Sequence, residues 1–181
     1  PFMPGASVVG HFRGFRRGSI NVDQLGAICF AVGQAYANFQ NFFLTDELMT
    51  RKHGDVSPLN IVVSEDLDVY FIDLSRMEEN GQYQFVQEGL KQLIHFSMYQ
   101  YFRRNKSKVG NEILVLFYKN MLDGYLASID ASVKDRCFST ICRRFEVLKL
   151  AYPYQSKVLK EVKDSVERNY LNKTDDIKIV M

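Results

Sequence analysis

Two long stretches of three- and four-residue apolar spacing are separated by one segment that cannot belong to a helix: RKHGDVSPLNIVVSEDLDVYFIDLSRM, residues 51–77. Gly54 and Pro58 break the helical period, since Gly is entropically costly inside a helix and Pro lacks the amide proton. The β-branched run Ile61, Val62, Val63 and the return "VYFID" predict two short strands, with "SEDLD" as the turn between them. The rest of the chain must therefore build its core from helices around one small hairpin. "SRMEENGQ" after the return strand reads as loop.

The helices are legible from their stripes. Leu25, Ile28, Cys29, Val32, Tyr36, Phe39 and Phe43 share one face, and Asn21 with Gln24 forms a capping-box pattern that starts this helix near residue 21. From Tyr83 onward, Phe85, Leu90, Leu93, Ile94, Met98 and Phe102 fit a helix closed by "RRNKSK". Ile113 to Tyr125 fit the next, Asp135 to about Leu150 a third ended by Pro153, and Tyr154 to Tyr170 a fourth. Residues 1–20, with Pro1, Pro4 and four Gly, read as loop with at most a short helical turn. The expected fold class is mainly α with a small β-hairpin. At 181 residues this is one domain or a large part of a bigger one.

Composition narrows the function classes. Hydrophobic residues at 46% and charged residues at 24% describe a folded chain rather than a disordered one. A formal net charge of +2 gives no electrostatic case for nucleic acid. No apolar run approaches the roughly 20 residues of a membrane span. The three cysteines, Cys29, Cys137 and Cys142, form neither a disulfide framework nor a zinc pattern, which points to a reducing, cytoplasmic setting. The opening "PFMPGAS" reads as the middle of a longer sequence.

The chemistry lies in the interrupting segment. Asp55, Asn60 and Asp73 offer two carboxylates and an amide around a tight hairpin. Magnesium favours such oxygen ligands and completes its shell with phosphate and water. A carboxylate in the loop can also accept a proton from a hydroxyl nucleophile, the combination phosphoryl transfer requires. Taken singly, Asp55 and Asn60 would be read as turn residues; the three together in a helix–loop–hairpin context shift the balance to function.

"H-G-D-V-S-P-L-N" followed by "F-I-D" resembles the catalytic loop and metal-binding aspartate of the protein-kinase-like superfamily, closest to its aminoglycoside-phosphotransferase and small-molecule-kinase branch. The order and the spacings, five residues from Asp55 to Asn60 and thirteen from Asn60 to Asp73, match the family. "FMPGAS" resembles the hinge between the two lobes. The resemblance implies that residues 1–20 are a hinge-like segment and loop. Residues 21–181 would be the helical C-terminal lobe, with catalytic loop 53–60 and metal-binding hairpin 61–73.

Carried over residue by residue, Asp55 matches the catalytic base, Asn60 and Asp73 match the Mg2+ ligands, and His53 matches the structural histidine beneath the loop. ATP is the implied phosphate donor. The Gly-rich loop and strand Lys would belong to an N-terminal lobe upstream of Pro1. Departures bear on the acceptor. Gly54 replaces the Arg of many protein kinases, Ser57 the Lys of Ser/Thr kinases, and "Asp-Leu-Ser" the Asp-Phe-Gly. No Ala-Pro-Glu motif follows. The implied acceptor is the hydroxyl of a small molecule, sugar or glycolipid; an atypical Ser/Thr protein kinase and a pseudokinase binding module are the rival readings.

Ser57 is balanced between a phosphate contact and the start of the loop turn, and Arg76 between a substrate anion and solvent. Arg13, Arg16 and Arg17 read as a solvated loop, the aromatic run Phe96, Tyr99, Tyr101, Phe102 as core, and the charges of 134–173 as wet helix faces. His11 and His95 are too remote in sequence to complete a metallohydrolase site with His53.

Overall fold

The computed structural model describes residues 5–74, 77, 83–104, 111–151 and 156–178, and side chains at all of these except 96–104, 111–114 and 173–178. The chain is mainly helical with two small antiparallel sheets. In order it runs β1 (Ala6–Ser7), α1 (Val8–Arg16), α2 (Val22–Phe42), β2 (Met49–Arg51), β3 (Ile61–Val63), β4 (Val69–Phe71) and β5 (Tyr83–Phe85). Four helices follow: α3 (Val86–Arg104), α4 (Asn111–Ser128), α5 (Ala131–Ala151) and α6 (Ser156–Lys178).

The capping box holds: Gln24 N–H donates to Asn21 Oδ1 and Asn21 N–H to Gln24 Oε1, both at 2.9 Å, so two otherwise orphaned amides are satisfied where α2 begins. The predicted stripe on α2 is the buried one at Leu25, Ile28, Cys29, Val32 and Tyr36. It lies against Tyr118, Met121, Leu122 and Tyr125 of α4, and α2 with α4 is the most extensive pairing in the molecule. Two glycines make this closeness possible. A Cβ on Gly33 would stand 1.8 Å from the Met121 carbonyl oxygen, and one on Gly124 would stand 2.2 Å from that of Phe30. The two backbones touch at both points. Helices α5 and α6 close the far side, burying Cys137, Ile141, Phe145, Leu159 and Val162.

Gln40 and Thr50 are buried polar residues of this core and are paired. Gln40 Nε2 donates to the Val86 carbonyl (3.0 Å) and Gln40 Oε1 accepts from Tyr125 Oη (2.5 Å), while Thr50 Oγ1 donates to the Gln40 carbonyl (2.9 Å). Residues of α2, β2, α3 and α4 are thereby joined through one residue, the side-chain amide of Gln40 reaching α3 and α4 and its main-chain carbonyl reaching β2.

The hairpin lies where the sequence placed it. Ile61 pairs with Phe71, Val62 with Tyr70 and Val63 with Val69. Three features differ from the sequence reading. Residues 6–16 are not loop: Ala6 and Ser7 pair with Val63 and Val62 as a third strand, and α1 follows, capped by Ser7 Oγ accepting from Gly10 N–H. Val8, Val9 and Phe12 are the reason, an i, i+1, i+4 apolar face that four neighbouring glycines disguised. Tyr83–Phe85 is a strand rather than the first turn of α3, because it has an antiparallel partner in Met49–Arg51. Helix α6 extends to Lys178, beyond the predicted end near Tyr170. Among the described residues no helix is long and apolar enough to cross a membrane.

Candidate active site

The loop after β2 is shaped by its own backbone hydrogen bonds. Gly54 has φ +91°, a left-handed conformation that L side chains rarely adopt, so the chain can reverse there without strain. The Asp55 carbonyl then accepts from Ser57 N–H (2.9 Å) and from Asn60 Nδ2 (3.1 Å), and the Ser57 carbonyl from Asn60 N–H (2.8 Å). Val56 and Ser57 are buried. The Ser57 side chain thus faces inward, at the start of the loop turn. Across the hairpin mouth, Ile72 N–H donates to the Asn60 carbonyl (2.9 Å), continuing the β3–β4 ladder by one pair. Asp73 is the next residue, so the two expected metal ligands stand on opposite strands, one step apart.

His53 sits under this arrangement at 1% exposure, its ring centroid 6.1 Å from Phe39 and 5.8 Å from Phe71. Nδ1 accepts the Asp55 backbone N–H at 3.4 Å, so the ring proton belongs on Nε2. Burial holds the His53 pKa below its ordinary value, while the negative charges of Asp55 and Asp73 pull the other way. Both carboxylates therefore act on one buried imidazole. Its Nε2 has no hydrogen-bond partner among the described residues.

Asp73 itself has φ +58°, one of three non-glycine residues with positive φ among the described residues. Aspartate tolerates this region better than most residues, yet the conformation still costs about 1 kcal/mol or more. The consequence is directional: the backbone turns sharply as it leaves β4, and the Asp73 side chain is solvent-exposed rather than continuing the alternation of the strand.

The donor chemistry fits a hard cation shared with a phosphate. Asn60 uses its Nδ2 on the Asp55 carbonyl, so its Oδ1 is not engaged in that hydrogen bond and is the atom that could face a cation. Among the described residues no three His, Cys, Asp or Glu side chains gather into an all-protein metal cage. Two carboxylates and an amide match the magnesium pattern, in which protein supplies few ligands and phosphate and water the rest.

Of the sequence-derived site residues, the structure brings Asp55, Asn60, Asp73 and His53 to one loop and hairpin mouth. Arg76 lies outside the described residues, as do the side chains of Phe96, Tyr99, Tyr101 and Phe102. Sequence reasoning missed the aromatic pair that holds His53. Phe39 belongs to the α2 stripe and Phe71 to β4; their apolar character was visible, but not their convergence from two elements on one imidazole. Comparison of the chain with protein-family models, with curated proteins and with solved structures yields no match.

Proposed function

We propose that this chain is the C-terminal lobe of a kinase-like phosphotransferase, acting in the cytoplasm on ATP and a hydroxyl-bearing small molecule, sugar or glycolipid. The observation that carries the reading is the gathering of Asp55, Asn60 and Asp73 around one loop and one hairpin mouth, with both carboxylates acting on His53.

In this reading Asp55 accepts the proton of the acceptor hydroxyl as its oxygen attacks the γ-phosphorus of ATP, and the bond from that phosphorus to the bridging oxygen breaks so that ADP leaves; this needs a carboxylate held in place. The loop provides that placement, because the backbone of residue 55 is tied at its N–H to His53 and at its carbonyl to Ser57 and Asn60. Asn60 Oδ1 and the Asp73 carboxylate would hold Mg2+. When bound, the cation would neutralise charge on the phosphates. His53 is a positioning residue: it orders the Asp55 amide and separates the loop from the core.

The Gly-rich loop and the lysine that complete a nucleotide pocket would come from an N-terminal lobe preceding Pro1. The 181 residues alone are expected not to turn over. In a protein carrying both lobes, Asp73→Ala should abolish ATP-dependent transfer. Asp55→Asn should lower kcat by about two orders of magnitude or more while leaving nucleotide affinity nearly unchanged. Isotope transfer from γ-labelled ATP to a panel of hydroxyl compounds reads both. Normal turnover in the Asp55→Asn protein sinks the assignment of the base, and a measurable rate from the isolated 181 residues sinks the need for a second lobe.

A further inference from the structure

The β2–β5 ribbon has an unusual outer face. Its inner face is polar and engaged: Thr50 is buried and bonded to the Gln40 carbonyl, and Gln84, its cross-strand partner, accepts from Gln92. Side chains alternate along a strand, so Met49 and Arg51 of β2 and Tyr83 and Phe85 of β5 share the outer face, in the pairs Met49↔Phe85 and Arg51↔Tyr83. An antiparallel sheet with one face on the core normally turns polar residues to water. Here about half of Tyr83 and Phe85 is exposed (48% and 52%).

The aromatic surface continues onto the end of α2. Phe42 is 82% exposed, its ring meets Phe43 at 4.8 Å, and the Arg51 guanidinium lies 5.7 Å from the Phe43 centroid. From there a line of ring contacts runs inward, beneath the candidate loop. Phe43 contacts Phe39 at 5.4 Å, and Phe39 contacts His53 at 6.1 Å. β2 itself runs directly into the loop that carries Asp55.

Size decides between occupants. With aromatic side chains of roughly 200 Å² each, Phe42, Tyr83 and Phe85 together leave roughly 350 Å² uncovered. That is large enough to mark a functional patch on a monomer. A stable protein interface covers roughly 800 Å² per partner, a little over half of it apolar, so it would need about 450 Å² of apolar surface, more than these three rings supply. Rings that reach a few ångströms into an apolar phase suit the acyl boundary of a bilayer. Arg51 and Lys52 at one rim are balanced by the exposed Asp46 and Glu47 on the turn before β2, so apolar contact rather than charge would set the affinity.

Resting on the phosphotransfer reading of the loop, we propose that the acceptor is an amphiphile presented at a bilayer surface. The aromatic face formed by Phe42, Tyr83 and Phe85 seats among its acyl chains, and its hydroxyl is offered to Asp55. The test begins with the 181-residue chain and phosphatidylcholine vesicles in a flotation assay, without nucleotide. The wild-type chain should float with the vesicles, and Phe42→Ser/Phe85→Ser should lower partitioning by about tenfold or more. Both sites are exposed, so the fold should survive, which circular dichroism checks. Leu150→Ser, at an 85% exposed apolar site on α5, should bind as the wild type does. Asp55→Asn should also bind normally, which separates the surface from the loop chemistry. A wild-type chain that stays off vesicles, or a double variant that binds equally, overturns the proposal. So does a concentration-dependent dimer in sedimentation that the double variant abolishes, since the face would then belong to a second copy. With the upstream lobe present, an alkyl glycoside should have at least a tenfold lower KM than the free sugar. Equal values overturn the amphiphile assignment, whereas vesicle binding without transfer to any hydroxyl overturns the loop reading as well.

Discussion

The α2–α4 seam makes a quantitative demand that a single methyl group can test. Gly33→Ala adds a Cβ whose nearest neighbour is the Met121 carbonyl oxygen at 1.8 Å, and the Met121 carbonyl carbon and Tyr125 amide nitrogen follow at 2.8 Å. Real Cβ contacts are essentially never below 3.0 Å, so the seam must open by more than 1 Å (3.0 − 1.8). All three neighbours are backbone atoms, so no rotamer change relieves them. An opening of that size loosens Cys29, Val32 and Tyr36 against Tyr118, Met121 and Tyr125. This belongs at the upper end of overpacking penalties, about 3 kcal/mol. Alanine returns about 1 kcal/mol through helix propensity, leaving a net loss of about 2 kcal/mol. Gly26 supplies the control. Its added Cβ would meet only the Asn120 side chain, at 3.6 Å or beyond, so Gly26→Ala keeps the propensity gain of about 1 kcal/mol. For a chain of this size, Gly33→Ala should lower Tm by roughly 4–8 °C and Gly26→Ala should raise it by roughly 2–4 °C. Thermal unfolding followed by circular dichroism measures both. Equal stabilities for the two variants would mean that the helices are not in backbone contact and that the reasoning is wrong.

Other expectations follow from the polar core and the titrating groups. Gln40→Leu removes one partner each from Tyr125 Oη, which keeps Cys137 Sγ at 3.5 Å, and from the Val86 carbonyl, and should destabilise by about 2–4 kcal/mol, read from the urea midpoint; a loss below 1 kcal/mol would show that the amide is dispensable. His53 has its folded-state pKa below the ordinary 6.5, so the unfolded chain binds the extra proton first as pH falls. Its contribution is present in full above pH 6.5 and lost below, with a slope of at most about 1.4 kcal/mol per pH unit, until the folded pKa is reached. His53→Gln should remove that component from the pH dependence of unfolding. Burial raises all three thiols, with Cys142 pushed up to about 11 by burial and by Glu167. Native protein at pH 8 should therefore react slowly with a thiol reagent, and denatured protein should take up three equivalents at once.

The sequence was most informative where one element determines its own structure. The α2 cap is local chemistry between Asn21 and Gln24, and the hairpin follows from a β-branched run, a polar turn and a return strand. The gathering of Asp55, Asn60 and Asp73 at one hairpin mouth was legible for a similar reason, since the three lie within nineteen positions of one another along a loop and hairpin that fold on themselves. Pairings between distant segments were not legible. Tyr83–Phe85 carries the same apolar residues a helix start would use, and becomes a strand because Met49–Arg51 offers it hydrogen bonds. Ala6–Ser7 is too short to signal a strand and exists only beside Val62 and Val63. The inward turn of Ser57 depends on neighbours that a spacing pattern does not name.

The shortest strand gives the hairpin a lever arm. Gly5 leaves no room between its Cα and the Val63 carbonyl, where a Cβ would stand 2.4 Å away, and His11 Nε2 donates to that same oxygen at 3.0 Å. The segment entering α1 and the strand that follows Asn60 therefore move as one piece. A displacement of Gly5 would be passed through Val63 and the Asn60–Ile72 hydrogen bond to Asp73, tilting the carboxylate as a jaw is tilted by its hinge.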